Sequence, residues 1–277
     1  GLAPLLREAG VNPVDAKFVV CDKLPGWIQP IARRFIEGYT PGFDFSGRVI
    51  EAPSGSGFSA GDAVMGTAPP FVGSLQEVVA VPLDQVAAKP KSLSFQEAAS
   101  LPLVGLTAMQ ALREQNGLKA GQRLVVVGAS GGVGHVAVQV GKALGAHVTA
   151  ICSSANAEFV ASRCGADAVV DYKSDVPVEE ALRSLASTAR APFDLLLDCV
   201  SSHDPRDAAA AYEPTIRRAT FDAGDSAAVP LLAGKYVCIG GVTSDWLAAG
   251  LKRKTGVDLF SRGRELFWIR FPCSAGA

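Results

Sequence analysis

The stretch RLVVVGASGGVGHVAVQVGKALGAHVTAICS, residues 123–153, decides the fold of this chain. Arg123–Val127 is a short aliphatic, β-branched run, the composition of a strand buried on both faces. A glycine-rich turn follows at Gly128–Gly134. Val136, Val138, Val140, Ala143 and Leu144 are then spaced as on a helix, and a second apolar strand is expected at His147–Cys152. Strand, glycine turn, helix and strand in about 30 residues form the dinucleotide-binding βαβ unit. The fingerprint G-x-G-x-x-G reads Ala129-x-Gly131-x-x-Gly134, with Ala in the first place. Gly131 is expected to let backbone approach a pyrophosphate, and Gly134 to let the helix pack on the strand. Ala129, Ser130, Gly131, Gly132 and Val133 thus become cofactor-binding candidates, with backbone N–H groups at the helix start facing the phosphates. Leu124–Gly141 carries no Asp, Glu, Lys or Arg. Its five glycines, a Ser and a His argue against a membrane span.

The end of the second strand bears on which dinucleotide is bound. NAD sites usually place Asp or Glu there to bond the ribose 2′-OH. This chain has Cys152-Ser153-Ser154-Ala155-Asn156, with no acid before Glu158. Hydroxyls and an amide donate to a 2′-phosphate, whereas a carboxylate repels it. Asp171-Tyr172-Lys173 ends the next expected strand, Ala168–Asp171. Lys173 then reaches the 2′-phosphate as a point charge. Ser153, Ser154, Tyr172 and Lys173 are therefore read as favouring NADPH over NADH. The plainer alternative for Lys173 is a solvated loop lysine.

Further segments carry a resemblance: GVNPVDAKF (10–18), PGFDFSGRVIEA (41–52), FSAGDAVMG (58–66), GSLQEVVAVP (73–82), AASLPLVGLTAMQAL (98–112), GASGGVGHVAVQVGKALGAHVTA (128–150) and CGADAVVDYK (164–173). In order and spacing, over residues 10–245 or so, the chain resembles the zinc-free medium-chain dehydrogenase/reductases, the quinone oxidoreductase-like proteins. It is especially similar to the plant chloroplast-envelope homologues, which are associated with reduction of α,β-unsaturated carbonyls. The resemblance implies a GroES-like first domain, residues 1–103, and a Rossmann NADP-binding domain, residues 104–277. It implies Thr107 near the nicotinamide carboxamide and Val200 near its ribose. It also implies Ile239, Gly240 and Gly241 along the ring's far side. Each of these is equally compatible with ordinary packing.

Zinc is not expected. The zinc-dependent relatives place a Cys where this chain has Asn12-Pro13, and a His-Glu pair near Phe43-Asp44. Cys21, Cys152, Cys164, Cys199, Cys238 and Cys273 include no C-x-x-C, and His135, His147 and His203 have no ligand spacing. Cys152, Cys199 and Cys238 fall in expected strands, where Cys acts as a small hydrophobe. The absence of a disulfide framework points to a reducing interior, cytoplasmic, or organellar if a targeting segment is missing. No signal peptide or membrane helix is read from the sequence.

Two polar residues are candidates for touching substrate. The Asn12 amide is placed to polarise a carbonyl, and Tyr39 to donate a hydrogen bond or proton. The alternatives are a turn-forming Asn before Pro13 and a packed Tyr. Asp44, in FDFSG, reads as a structural turn. Ser46, His203 and Asp204 make no hydrolase triad, because no nucleophile elbow is present.

The 277 residues, 48% hydrophobic with net charge −1, suffice for a large core in one or two domains. No basic patch or charge run points to nucleic acid. Residues 1–103 are Pro- and Gly-rich with β-like runs at Arg48–Glu51, Ala63–Gly66 and Gln76–Val81. Ser94 is expected to cap a helix, with Glu97 completing a capping box, and Leu106–Arg113 to form the next helix. Strands are expected at 123–127, 147–152, 168–171, 193–199 and 235–239. Helices are expected at about 132–144, 156–163 and 177–187, giving a doubly wound parallel sheet. Against the family, only Gly1–Ala9 precedes GVNPVD, and Phe267–Phe271 falls where a last Rossmann strand is expected. A chain incomplete at both ends is therefore expected, with open strand edges in the first domain.

The function these features imply is hydride transfer from NADPH to an enone, enal or quinone without zinc. The alternatives are a one-electron quinone reductase and a non-catalytic NADPH-binding protein. The expected partner is the small-molecule enone or quinone. The resemblance also implies a possible homodimer, since the family commonly forms dimers through the nucleotide-domain sheet edge, where Trp268 and its neighbours fall.

Overall fold

The computed structural model describes residues 2–15, 40–69, 72–200, 231–239 and 264–267, with positions 30, 38 and 255. The chain divides into two compact units, the first running to Leu106 and the second starting at Thr107.

In the first unit four strands form an antiparallel sheet in the order β1 (Ala3–Gly10), β2 (Asp44–Glu51), β3 (Ala63–Thr67) and β4 (Val86–Ala88). β2 pairs with both β1 and β3. Leu2, Phe45, Val49, Val64, Ala68, Val79 and Val81 fill the core beneath it. β1 is not expected from the sequence, because Ala3–Gly10 mixes charged and apolar residues without clean alternation. Its edge is irregular, with register shifts at Ala3/Pro4 and Leu6/Glu8. Gly47 lies tightly against β1; a Cβ there falls 2.3 Å from the Leu5 carbonyl oxygen. The expected strand at Gln76–Val81 is replaced by two isolated bridges, Leu5 to Val78 and Leu2 to Val81. Pro4 supplies no N–H to that ladder, and its carbonyl only accepts, from the Val79 amide at 3.3 Å.

Ser94 caps helix α1 (Phe95–Ala99) with the expected capping box. Its hydroxyl accepts from the Glu97 amide at 3.2 Å, and its own amide donates to Glu97 Oε2 at 2.7 Å. Helix α2 (Pro102–Met109) follows and passes into a π-helical turn, Gln110–Glu114.

The second unit is built on β5 (Arg123–Val127), β6 (His147–Cys152), β7 (Ala168–Asp171), β8 (Phe193–Asp198), β9 (Leu232–Cys238) and β10 (Arg264–Leu266). Their order is β10-β9-β8-β5-β6-β7, with every pairing parallel. This is the doubly wound order, reversing between β5 and β8. Helices α3 (Gly132–Ala143) and α4 (Val178–Ala189) cover opposite faces. Alternate residues of β5 divide accordingly. Leu124 and Val126 pack with Ala137 and Val138 of α3. Val125 and Val127 pack with Val178, Leu182 and Ala186 of α4. Burial on both faces explains the unbroken apolar run in the sequence.

Several boundaries differ from expectation; β9, for one, begins at Leu232 rather than at 235. The segment at 156–163 is a 3₁₀ turn, Ser154–Asn156, followed by a π-helical turn, Phe159–Arg163. β8 stops at Asp198, so Cys199 lies just beyond it, half-buried and packed against the core. The last strand among the described residues is Arg264–Leu266, three residues upstream of the apolar run at Phe267–Phe271, and of that run only Phe267 is described, buried. Among the described residues no helix is long and apolar enough to cross a membrane.

Candidate functional site

The turn after β5 is built on Gly128. Its φ is +71°, and a Cβ there falls 2.2 Å from Val200 Cγ2. The left-handed residue of the turn is thus Gly128, one place before Ala129, so Ala is accommodated at the first fingerprint position. Ala129 is buried, and its amide and that of Gly128 both donate to the Ile151 carbonyl at 3.0 Å. The Gly131 amide closes the turn onto the Gly128 carbonyl at 2.9 Å. Gly131 is the N-cap of α3 and brings no side chain to the helix end. The amides of Gly132, Val133 and Gly134 therefore start the helix with no intrahelical acceptor. No acidic residue occupies that first turn. At Gly134 a Cβ falls 2.1 Å from the Gly128 carbonyl oxygen, so the helix lies directly on the turn. Backbone donors at a helix N-terminus, with no capping side chain and no acid in the first turn, suit a phosphate group.

At the C-terminal end of β6, the register pairs Cys152 with Asp171 of β7. Ser153–Ser154 and Tyr172–Lys173 therefore leave the sheet side by side. The Asn156 amide donates to Ser130 Oγ at 3.2 Å and to Ser153 Oγ at 3.4 Å. Asn156 thus ties the phosphate-type turn to the segment after β6, a role that its position in the sequence does not reveal. Lys173 is exposed; its amide donates to Asp171 Oδ1 at 2.8 Å and its ammonium lies over the Tyr172 ring, 5.7 Å from the centroid.

On the other side of β5, Asp198 is fully buried at the end of β8. Its carboxylate accepts from the Tyr236 hydroxyl, and its Oδ1 from the Val200 amide at 2.9 Å. The Ile239 amide donates to the Asp198 carbonyl at 2.9 Å. These bonds hold Val200 against Gly128 and set Ile239 at the end of β9. Gly240 and Gly241 lie outside the described residues. Thr107 is buried on α2.

In the first unit, Asp44 corrects the reading of FDFSG as a turn: it opens β2 and is buried. Its Oδ2 accepts from Asn12 Nδ2 at 2.9 Å and its Oδ1 from the Leu103 amide at 2.8 Å. Asp15, also buried, accepts from the Asn12 amide at 2.6 Å and the Gly42 amide at 3.1 Å. Asn12 is therefore held by two carboxylates and is more than a turn residue. Tyr39 lies outside the described residues. Among the described residues no three His, Cys, Asp or Glu side chains gather as a metal site.

Burial pushes the Asp44 carboxyl from 3.8 up to about 7, helped by the nearby Asp15 and opposed by the bonds from Asn12 and Leu103. Between those values the folded chain keeps a proton that the unfolded chain releases. This contribution to stability is full below about pH 4 and lost as pH rises through about 7. The urea midpoint of the native chain, measured relative to Asp44→Asn, is expected to fall from about pH 4.5 to about pH 8. A difference that stays flat across that range contradicts the assignment.

The chain matches the alcohol dehydrogenase GroES-like domain over residues 6–91 and the zinc-binding dehydrogenase family over residues 132–215. It is 47% identical over 167 residues to the mitochondrial NAD(P)H oxidoreductase RTN4IP1 of Homo sapiens, covering 58% of this chain and 40% of that protein. It is 39% identical over 204 residues to the chloroplast envelope quinone oxidoreductase homolog of Arabidopsis thaliana, covering 71% of this chain and 58% of that one. The solved quinone oxidoreductase of Coxiella burnetii superposes with a TM-score of 0.65 at 27% identity, covering 98% of this chain and 74% of that one. The chain spans about half the length of the curated relatives it matches. A GroES-like unit followed by a doubly wound sheet, with these likenesses across both, places the chain in the medium-chain dehydrogenase/reductases, as a quinone oxidoreductase-like member.

Proposed function

We propose that this chain binds NADPH on the Gly128–Gly134 turn and reduces a quinone or an α,β-unsaturated carbonyl without zinc. The observation that carries this reading is the start of α3. A side-chain-free N-cap and an acid-free first turn suit a pyrophosphate. Gly128, Ala129, Ser130, Gly131, Gly132 and Val133 hold the phosphates, and Val200 and Ile239 line the nicotinamide side with Thr107. Ser153, Ser154, Tyr172 and Lys173 receive the adenosine 2′-phosphate, since the end of β6 itself carries no acid and Asp171 at the end of β7 accepts from the Lys173 amide. When bound, NADPH supplies the hydride. The Asn12 amide then polarises the acceptor oxygen, and the accompanying proton comes from water or a side chain. The names of the relatives, an NAD(P)H oxidoreductase and quinone oxidoreductases, support this reading. A reducing compartment goes with it; the named relatives are a mitochondrial and a chloroplast envelope protein.

The test is NADPH binding followed by nicotinamide fluorescence, with NADH as the control, and then turnover on a naphthoquinone and a simple enone. Lys173→Ala is expected to cut the NADPH-over-NADH preference about tenfold, the worth of one charge-assisted contact. An unchanged preference returns Lys173 to a solvated loop residue. Binding without turnover on either substrate favours a non-catalytic NADPH-binding role.

A further inference from the structure

The Asn12 amide is the only side-chain group of the proposed substrate site in the first unit whose surroundings are described, and it is not free to choose its orientation. Asp44 Oδ1 is committed to the Leu103 backbone amide at 2.8 Å, which donates from the first turn of α2. That leaves Oδ2 to face Asn12. Above about pH 7, where Asp44 is ionised, its carboxylate only accepts hydrogen bonds, so the NH₂ end of Asn12 turns inward; below that pH the protonated acid donates and no longer requires this orientation. The Asn12 backbone is fixed as well. Its amide donates to Asp15 Oδ2, its carbonyl accepts from the Asp15 amide at 2.9 Å, and Asp15 Oδ1 is tied to Gly42. Gly10, paired with Asp44 across β1 and β2, is crowded from both sides. A Cβ there falls 2.5 Å from the Ala99 carbonyl oxygen and 3.0 Å from Asp44 Cβ. The carboxylate that orients Asn12 is therefore itself held by the sheet and by the helix.

We infer that Asp44 is a positioning residue that fixes the Asn12 amide with one N–H turned inward, so that a ligand meets the other N–H and Oδ1. This rests on the proposed role of Asn12 at the substrate. Asp44 is buried and acts only through Asn12. Asp44→Asn reverses the arrangement. The Leu103 amide still requires an acceptor and takes the new Oδ1. The new NH₂ then faces Asn12 and requires its Oδ1, so the Asn12 amide must turn over.

The chain has only three asparagines, Asn12, Asn116 and Asn156, so labelling with [¹⁵N]asparagine gives a spectrum of three side-chain amides. Asn12→Ala identifies one pair. At about pH 8.5, where Asp44 is ionised, the native Asn12 pair is expected to be widely split, with one proton downfield from its bond to a carboxylate. Asp44→Asn adds a fourth pair, told apart from that of Asn12 by comparison with the Asn12→Ala/Asp44→Asn double variant. In Asp44→Asn the Asn12 proton is expected to move upfield and exchange faster, while the Asn116 and Asn156 pairs stay in place. A native Asn12 pair at the position of a solvated amide overturns the inference and requires no variant to fold. An Asn12 pair that does not move in a folded Asp44→Asn chain overturns it equally.

Kinetics with NADPH and a naphthoquinone test whether this orientation matters to the reaction. Asn12→Ala is expected to lower kcat/KM on the order of a hundredfold, the effect of losing one oriented donor. Asp44→Asn is expected to lower it as well. The double variant is expected to be no worse than Asn12→Ala, because Asp44 has nothing left to orient. Additive losses overturn the inference. If the amide spectrum behaves as expected but Asn12→Ala leaves turnover intact, the orientation stands and the substrate role of Asn12 falls.

Discussion

Gly134→Ala is expected to disable the second unit. The added methyl falls 2.1 Å from the Gly128 carbonyl oxygen and 2.9 Å from Ala129 Cα. Both are backbone atoms, so no rotamer relieves the overlap, and α3 must lift from the turn. A forced overlap of this kind costs about 3 kcal/mol. In a unit of this size that lowers Tm by roughly 6–12 °C. NADPH binding is expected to fall at least about tenfold with it, because the helix amides no longer meet the turn. Gly131→Ala is the control. Its Cβ comes no closer than 3.2 Å to the Gly128 oxygen, so the fold is expected to survive. Scanning calorimetry and NADPH titration of the two variants together check the argument. If Gly134→Ala melts and binds as the native chain does, the close packing of helix on turn is not what holds the site.

Arg123→Met is expected to destabilise the same unit from the opposite end of the sheet. The Arg123 guanidinium donates to the Ala191 carbonyl and to the Leu185 carbonyl at 3.1 Å. It also stacks over Phe193, 4.4 Å from the ring centroid. One side chain thus satisfies carbonyls at the end of α4 and just beyond it and pins them beside the start of β8. Met keeps the aliphatic stem and leaves both carbonyls without that donor. The expected loss is about 2–3 kcal/mol, seen as a lower urea midpoint with the slope unchanged. The backbone bond from Arg123 to Asp194 Oδ2, 2.7 Å, remains in the variant, so β5 and β8 stay paired. A change under about 0.5 kcal/mol, the ordinary range for a surface substitution, contradicts the assignment.

Much of the second unit is legible in the order of its residues. A parallel sheet covered on both faces writes itself as unbroken Val and Leu runs, and β5, β6 and β7 fall where those runs stand. The capping box at Ser94 and Glu97 depends on two residues three apart and needs no tertiary context. β1 is not legible in this way, because its residues are a strand only by pairing with β2. β10 begins upstream of the apolar run that suggests it, because its register is set by Tyr236, Val237 and Cys238 of β9.

The candidate site divides in the same way. Glycine spacing and the missing acid after β6 are local chemistry, written in the amino-acid sequence. Which glycine takes the left-handed turn is not. Gly128 does, because it must also pass beneath Val200 from the far side of β5. Asn156 joins Ser130 and Ser153 only because β5 and β6 lie side by side. Asp44 resembles part of a turn because its neighbours Gly42 and Gly47 suggest one. Its actual state depends on partners 32 and 59 residues away, Asn12 and Leu103. The sequence by itself determined the doubly wound sheet and the phosphate-type turn, since these rest on periodicity and short-range sterics, and pointed to the family through the likeness of its segments. Only the tertiary structure decided where the buried carboxylates stand and what they hold, since a carboxylate's protonation and its hydrogen bonds depend on what folding brings around it.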